Sequence, residues 1–167
     1  MSAAPKTRPE LFDRLRELGF PTTTIDHPAV FTVAQSEALE RDIPGGHTKN
    51  LFLKDAKGRL FLIVAKSSTG VDLKALPKTL GCARLSFGKP ELMMEVLGIT
   101  PGSVTAFCLI NDPEQRVTVV VDAALMQHDI INCHPLENTA TTSIARDDLL
   151  AFIRACGHAP RIEVLPA

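Results

Sequence analysis

The chain has 167 residues, 45% hydrophobic and 22% charged, which is ordinary usage for one folded domain and excludes a mainly disordered chain. Its formal net charge of −1 excludes the strongly basic composition of a protein that wraps long nucleic acid. The longest purely apolar run, residues 60–65, is far too short for a bilayer and no secretory h-region opens the chain, so a cytoplasmic protein with no membrane partner is expected.

In chain order, Thr7 and Glu10 make a capping box, in which the Thr7 hydroxyl can accept from the Glu10 amide and the Glu10 carboxylate can reach back. Leu11, Phe12, Leu15 and Leu18 follow at helical spacing until Gly19, so the first element is a helix. TTTIDH, residues 22–27, reads as a short strand stopped at Pro28, and FTVAQSEALERDI, residues 31–43, as a helix opened by Thr32 with Gln35 three residues on. The clearest signal is NLFLKDAKGRLFLIVA, residues 50–65, where two apolar segments flank Asp55-Ala56-Lys57-Gly58 and predict a hairpin. Its second arm is apolar on both parities, so it is a central strand covered on both faces. VDLKALPKTLG, residues 71–81, predicts a helix interrupted at Pro77, and KPELMMEVLG, residues 89–98, a helix closed by Gly98. SVTAFCLI, residues 103–110, and RVTVVVD, residues 116–122, are predicted as a second strand pair around Asn111-Asp112-Pro113. A short strand near Ile130 and Ile131, a strand over TATTSIA, a helix over RDDLLAFIRACG and a last strand over RIEVL complete the chain. Strands outnumber helices and strict β-α-β alternation is absent. The fold class is therefore α+β: a mixed, strongly curved, barrel-like sheet with helices packed around it, in one domain spanning residues 1–167.

The small net charge hides an asymmetry. Between residues 45 and 95, nine Lys or Arg stand against four acids, so this segment carries +5 and the remainder −6. Such local basicity suits a short polyanionic contact, the alternative being a solvated surface. Cys82, Cys108, Cys133 and Cys156 have neither C-x-x-C nor paired-histidine spacing, so reduced thiols are expected and no metal or other cofactor. His27, His47, His128 and His158 show no metal or triad spacing and read as structural. Ser-His-Asp order, H-E-x-x-H, P-loop and G-x-G-x-x-G are all missing, so the chemistry must need little from protein acids and bases.

Three stretches are candidates to carry it. Alternation along a strand puts Lys49 on the face of Leu51 and Leu53, and Asn50 on that of Phe52 and Lys54. If Leu51 and Leu53 point inward, Lys49 lies at the rim of the interior, where it either meets a bound anion or snorkels to water. GITPGSVTAF, residues 98–107, fixes a sharp loop immediately before a strand, and Gly102-Ser103 can turn successive N–H groups toward a ligand oxygen, although Pro-Gly turns mostly just redirect the chain. In NCHPLENTAT, His134 suits a polar contact in a pocket or a satisfied core position; Cys133 is disfavoured as a nucleophile because strand neighbours point to opposite faces.

HTKNLFLKD, GITPGSV, FCLIND and HPLENTATTSI, in this order and spacing, resemble the YbaK family of aminoacyl-tRNA editing domains, which includes the insertion domain of bacterial prolyl-tRNA synthetases. Within it the likeness is greatest to the freestanding branch that deacylates alanyl-tRNA(Pro), and it runs over nearly the whole chain. The resemblance implies a hydrolase that cleaves the ester between a mischarged amino acid and the 3′-terminal ribose, with a ribose hydroxyl of the substrate helping to activate water. It implies that Lys49 holds the terminal phosphate or ribose, with Asn50 beside it. It further implies that the loop of Gly98, Pro101, Gly102 and Ser103 presents N–H groups, notably those of Gly102 and Ser103, to the ester carbonyl, and that His134 lines the pocket. Phe31 and Val33 would form a small amino-acid wall, while Lys54, Lys66 and Arg84 would touch the acceptor stem. The implied partners are the tRNA(Pro) acceptor end and prolyl-tRNA synthetase, with no sequence-specific DNA binding. Cys-tRNA(Pro) or Ser-tRNA as substrate, a non-catalytic nucleic-acid-binding or regulatory module, and a cysteine hydrolase at Cys133 are the competing readings.

Overall fold

The computed structural model describes residues 4–29 and 32–167, with the backbone alone at Val33. Among these residues eight strands form one mixed sheet: β1 (Thr22–Asp26), β2 (Gly46–Asp55), β3 (Leu60–Lys66), β4 (Leu85–Phe87), β5 (Val117–Asp122), β6 (Ile130–Cys133), β7 (Ala140–Ala145) and β8 (Arg161–Glu163). The spatial order is β1-β7-β6-β2-β3-β5-β8, with β4 added to β2. The pairs β6–β2, β3–β5 and β5–β8 are parallel and the others antiparallel. The path ends at β1 and β8, which do not pair, so the expected mixed α+β sheet is present without closing into a barrel.

Among the described residues five α-helices pack on it: α1 (Arg8–Glu17), α2 (Val33–Asp42), α3 (Leu76–Leu80), α4 (Pro90–Leu97) and α5 (Arg146–Ala155). Their ends follow from local chemistry. The Thr7 N–H donates to Glu10 Oε1 at 3.2 Å, and Thr32 Oγ1 accepts from the Gln35 N–H at 3.1 Å. Gly98 closes α4 in the left-handed region, donating to the Met94 carbonyl at 3.0 Å.

β3 is the spine. Leu60, Leu62 and Val64 point into the larger core with α1, α4 and α5, whereas Phe61, Ile63 and Ala65 point into a smaller one capped by α3. Both parities are therefore buried, as the apolar run predicts. In the larger core the Phe107 and Phe152 rings meet edge to face, 5.4 Å between centroids.

Two segments differ from the sequence-based expectation, and β4 has no counterpart in it. The segment predicted as a strand from residue 103 is instead a 3₁₀ helix over Ala106–Asn111. The extended Thr105 turns the chain by accepting from the Phe107 N–H, and Phe107, Cys108 and Leu109 are all buried, an apolar run that periodicity cannot assign. The predicted strand pair accordingly reduces to β5, whose start is fixed by Asp112 accepting the N–H groups of Arg116 and Val117 at 3.0 Å each. In the 71–81 segment, Pro77 lies in the first turn of α3 rather than interrupting a longer helix, because that position has no intrahelical N–H bond to lose.

Candidate active site

β2 changes partners along its length, and the site lies at the change. One edge pairs with β3 from Thr48 to Lys54. The other pairs with β6 only at Gly46 and His47, and with β4 only from Leu53. Between these contacts, residues 48–52 have no strand on that edge among the described residues. The close approach of β2 to β6 requires Gly46, since a Cβ there would stand 2.9 Å from the His128 ring. Asn132 ties the two strands, its Nδ2 donating to the Pro44 carbonyl at 3.1 Å and its backbone carbonyl accepting the Thr48 hydroxyl at 2.8 Å. Beyond this clamp the strands separate.

The opening is a cavity of about 530 Å³. Its floor is His47, Thr48 and Lys49 of β2, one wall is Asn132, Cys133 and His134 with Thr141, and the other is the polar face of α2 with Ser67 and Ser68 after β3. Such a volume admits a nucleotide-sized ligand rather than a methyl group alone.

Lys49 is half-buried in this floor, and no carboxylate among the described residues lies within 4 Å of its ammonium. His134 Nδ1 lies 2.9 Å from the Ala140 carbonyl, so Nδ1 carries the proton and Nε2 keeps its lone pair. Burial pushes the His134 imidazole below its ordinary value, the His27 and His47 rings act in the same sense, and the bond to Ala140 opposes them. His134 is therefore neutral at pH 7. The His27 ring, 6.3 Å away, donates from Nδ1 to the Pro28 carbonyl at 2.8 Å and accepts the Thr141 hydroxyl on Nε2 at 2.9 Å. His47 donates from Nε2 to the Ile43 carbonyl at 2.7 Å. Both were read from sequence as structural, and their bonds agree, yet His47 also lines the cavity.

Burial pushes the Cys133 thiol up to about 12 despite the Thr48 hydroxyl 3.8 Å from its sulfur. A thiol so held is not a thiolate at neutral pH, which argues against the cysteine-hydrolase reading.

Asn50 faces the larger core, opposite Val64, and lies outside the cavity lining. Its Oδ1 is buried without a hydrogen-bond partner among the described residues. Gly98 is the cap of α4, pressed against Pro5 and Asn111, and Pro101 is exposed. Ser103 is buried, and its N–H is engaged by the Thr100 carbonyl at 3.2 Å within the turn. Gly102, at φ +91°, is exposed, and the position of a Cβ there lies 3.8 Å from Asn138 Nδ2, so the loop abuts the segment that follows His134. Neither Gly102 nor its neighbours line the cavity. Phe31 lies outside the described residues, as does the Val33 side chain.

Lys54 and Arg84 are both exposed near the far end of β2, five residues or about 17 Å from Lys49 along the strand, whereas Lys66 is opposite Thr48 beside the cavity. None of the nine cations between residues 45 and 95 is in an ion pair within 4 Å among the described residues. Sequence reasoning missed Glu37, Glu40, Ser67 and Thr141. The acids at i and i+3 on the polar side of α2 were the available signal, but nothing in the sequence shows what that side faces.

A family model described as the aminoacyl-tRNA editing domain matches residues 27–152. The chain belongs to the aminoacyl-tRNA editing domain family. The resemblance drawn from its motifs is thus borne out. The chain is 40% identical over 157 residues to prolyl-tRNA synthetase associated domain-containing protein 1 of Danio rerio, covering 93% of this chain and 85% of that one. It is 35% identical over 146 residues to prolyl-tRNA editing protein ProX of Acetoanaerobium sticklandii, covering 87% and 89%. The fold matches a solved structure of a candidate trans-editing enzyme for prolyl tRNA synthetase with a TM-score of 0.68 at 17% identity, over 96% and 99% of the two chains.

Proposed function

We propose that this protein is an aminoacyl-tRNA deacylase that removes alanine from Ala-tRNA(Pro), with the tRNA(Pro) acceptor end as its ligand and the cytoplasm and prolyl-tRNA synthetase as its setting. Membership of the editing family and the names of the two relatives support deacylation. The observation that carries the site is Lys49, which lines a nucleotide-sized cavity with no carboxylate within 4 Å of its ammonium among the described residues.

In this reading Lys49 binds a phosphate or ribose oxygen of the terminal nucleotide, and neighbouring Lys66 extends the contact. Lys54 and Arg84, farther along β2, meet the acceptor stem, where their missing ion pairs leave their charge to the phosphates. Asn50 neighbours Lys49 along β2 but faces the larger core outside the cavity lining, so it supports the strand rather than the ligand, and its buried Oδ1, unpartnered among the described residues, carries a cost of about 1–3 kcal/mol. Neutral His134 offers its Nε2 lone pair to a substrate hydroxyl or to water. Of the loop donors, the Ser103 N–H is engaged and Gly102 stands outside the cavity lining beside Asn138, so a Gly102 contact to the ester carbonyl requires the substrate to extend past the cavity to that loop. Water attacks the already activated ester with help from the substrate's own ribose hydroxyl, so positioning supplies most of the rate.

Alanine removal answers a physical need: a synthetase pocket for proline rejects a smaller side chain by only about 1–3 kcal/mol. The cavity takes adenosine and ester together, so its volume alone does not set alanine against proline.

The test is hydrolysis of Ala-tRNA(Pro), Cys-tRNA(Pro), Ser-tRNA and Pro-tRNA(Pro) by the wild-type protein and by Lys49→Ala. Turnover of the alanyl ester, sparing of the prolyl ester and loss in Lys49→Ala are expected. Turnover of the cysteinyl or seryl ester alone overturns the substrate, and tight nucleic-acid binding without hydrolysis of any ester overturns the reaction.

A further inference from the structure

The cavity is lined by charges of both signs, and none of them has an ion pair within 4 Å among the described residues. Lys49 is the cation. The acids come from α2, where Glu37 and Glu40 at i and i+3 turn toward the same opening. Glu37 is exposed, but Glu40 is half-buried and accepts a hydrogen bond from the Ser67 hydroxyl, which fixes its carboxylate at the junction of α2 and the end of β3. No Lys or Arg among the described residues lies within 4 Å of Glu40. A partly desolvated carboxylate in a ligand cavity, oriented by a hydroxyl and given no cation, is complementary to a cation that the ligand brings.

An aminoacyl ester of a 3′-terminal nucleotide brings both required charges. Its phosphate is the anion for Lys49, and its α-amino group, free and largely protonated near neutral pH, is the cation. We infer that Glu40, oriented by Ser67, receives the α-ammonium of the aminoacyl group, and that the site therefore selects free aminoacyl esters over N-blocked or deaminated ones. The inference rests on the deacylase reading above. Anchoring at the nitrogen, two bonds from the scissile carbonyl carbon, also fixes which face of the ester is presented to water.

A purely structural Glu40–Ser67 bond would pin α2 to β3 and affect every substrate alike. The test therefore compares alanyl-tRNA(Pro) with lactyl-tRNA(Pro), in which a hydroxyl replaces the ammonium, and with N-acetyl-alanyl-tRNA(Pro). Each kcat/KM is normalised to the uncatalysed hydrolysis of that ester, for wild type, Glu40→Gln and Ser67→Ala. The wild type is expected to prefer the alanyl ester to both analogues. Glu40→Gln is expected to reduce the alanyl-to-lactyl preference tenfold to a hundredfold, on the order of one charge-assisted hydrogen bond, with a smaller fall in Ser67→Ala. Glu40→Asp should restore part of the preference. A wild type that hydrolyses all three esters without preference, or a Glu40→Gln that lowers all three equally, overturns the inference while leaving the deacylase reading intact. A wild type that hydrolyses none of them overturns both.

Discussion

Replacing Lys49 by methionine removes the ammonium while keeping most of the apolar stem, and it isolates the charge on which the site depends. At about 4 Å, an ammonium–phosphate contact is worth ~1 kcal/mol with the screening of bulk water and ~4 kcal/mol with that of a protein surface. Lys49 is half-buried in a cavity open to solvent, between these limits, so a loss of about 2–3 kcal/mol is expected. That corresponds to a roughly 30- to 150-fold fall in kcat/KM for Ala-tRNA(Pro) at low salt. The ammonium has no carboxylate within 4 Å among the described residues, so its removal breaks no ion pair, and the unfolding free energy from urea titration should stay within ~0.5 kcal/mol of wild type. A phosphate contact also has a salt signature: the slope of log(kcat/KM) against log[salt] should become shallower by about 0.7–0.9, the counter-ion released by one such contact. Single-turnover deacylation at several salt concentrations, with urea unfolding of the same preparations, measures all three. A variant within twofold of wild type at low salt refutes the anchoring role. A large loss that does not diminish as salt rises refutes its electrostatic basis.

Three further outcomes follow from the same geometry. Because burial holds His134 below its ordinary value in the folded state, its contribution to stability is complete above pH 6.5, the unfolded value, and is lost as the pH falls from there through the folded value. His134→Asn should therefore flatten part of the fall in urea midpoint between pH 7 and 5; an unchanged profile contradicts the assignment. Burial raises the Asp55 carboxyl, but the N–H groups of Arg59, Ala83 and Lys57 outweigh it and hold the group below 3.8. Asp55→Asn should thus lower the midpoint at neutral pH by turning an amide donor on one of those N–H groups, and the difference from wild type should shrink as the pH drops below 3.8. Cys133→Ala should retain deacylation within a few-fold, and iodoacetamide should leave the folded wild type active, because a buried thiol titrating at about 12 offers no thiolate. Loss of activity in proportion to alkylation would restore the cysteine reading.

The elements legible in the sequence are those whose signals are local. The capping boxes at Thr7 and Thr32, the Asp55–Gly58 turn and the two-sided apolar run of β3 each depend on residues within a few positions, and each appears as read. The failures depend on packing. Residues 106–111 satisfy a strand and a buried helix equally well by composition, and the Thr105 hydroxyl, which turns the chain there, gives no periodic sign. β4 has three residues, two of them exposed, and its identity comes from pairing with Leu53 to Asp55, thirty or more positions away. At the site the same division holds. Lys49 was legible because a lysine against an apolar run is anomalous in itself, whereas Glu40 is an ordinary acid on an ordinary helix until the fold sets it beside Ser67.

The change of partners along β2 explains why the charges can stay unpaired without destabilising the domain. A sheet that continued past His47 would have buried Lys49 between strands and forced it to find a carboxylate or be replaced by an apolar residue. Separation of β6 from β2 after Asn132 opens that edge to water instead, so the ammonium keeps much of its hydration until a ligand displaces it. Glu40 meets the opening from the opposite side under the same condition. The stability of the domain is carried by the apolar residues on both faces of β3, one strand away and untouched by the opening. Binding energy and folding energy are thus held by adjacent strands, which is why charge-removing substitutions at Lys49 and Glu40 are expected to change turnover far more than they change the unfolding midpoint.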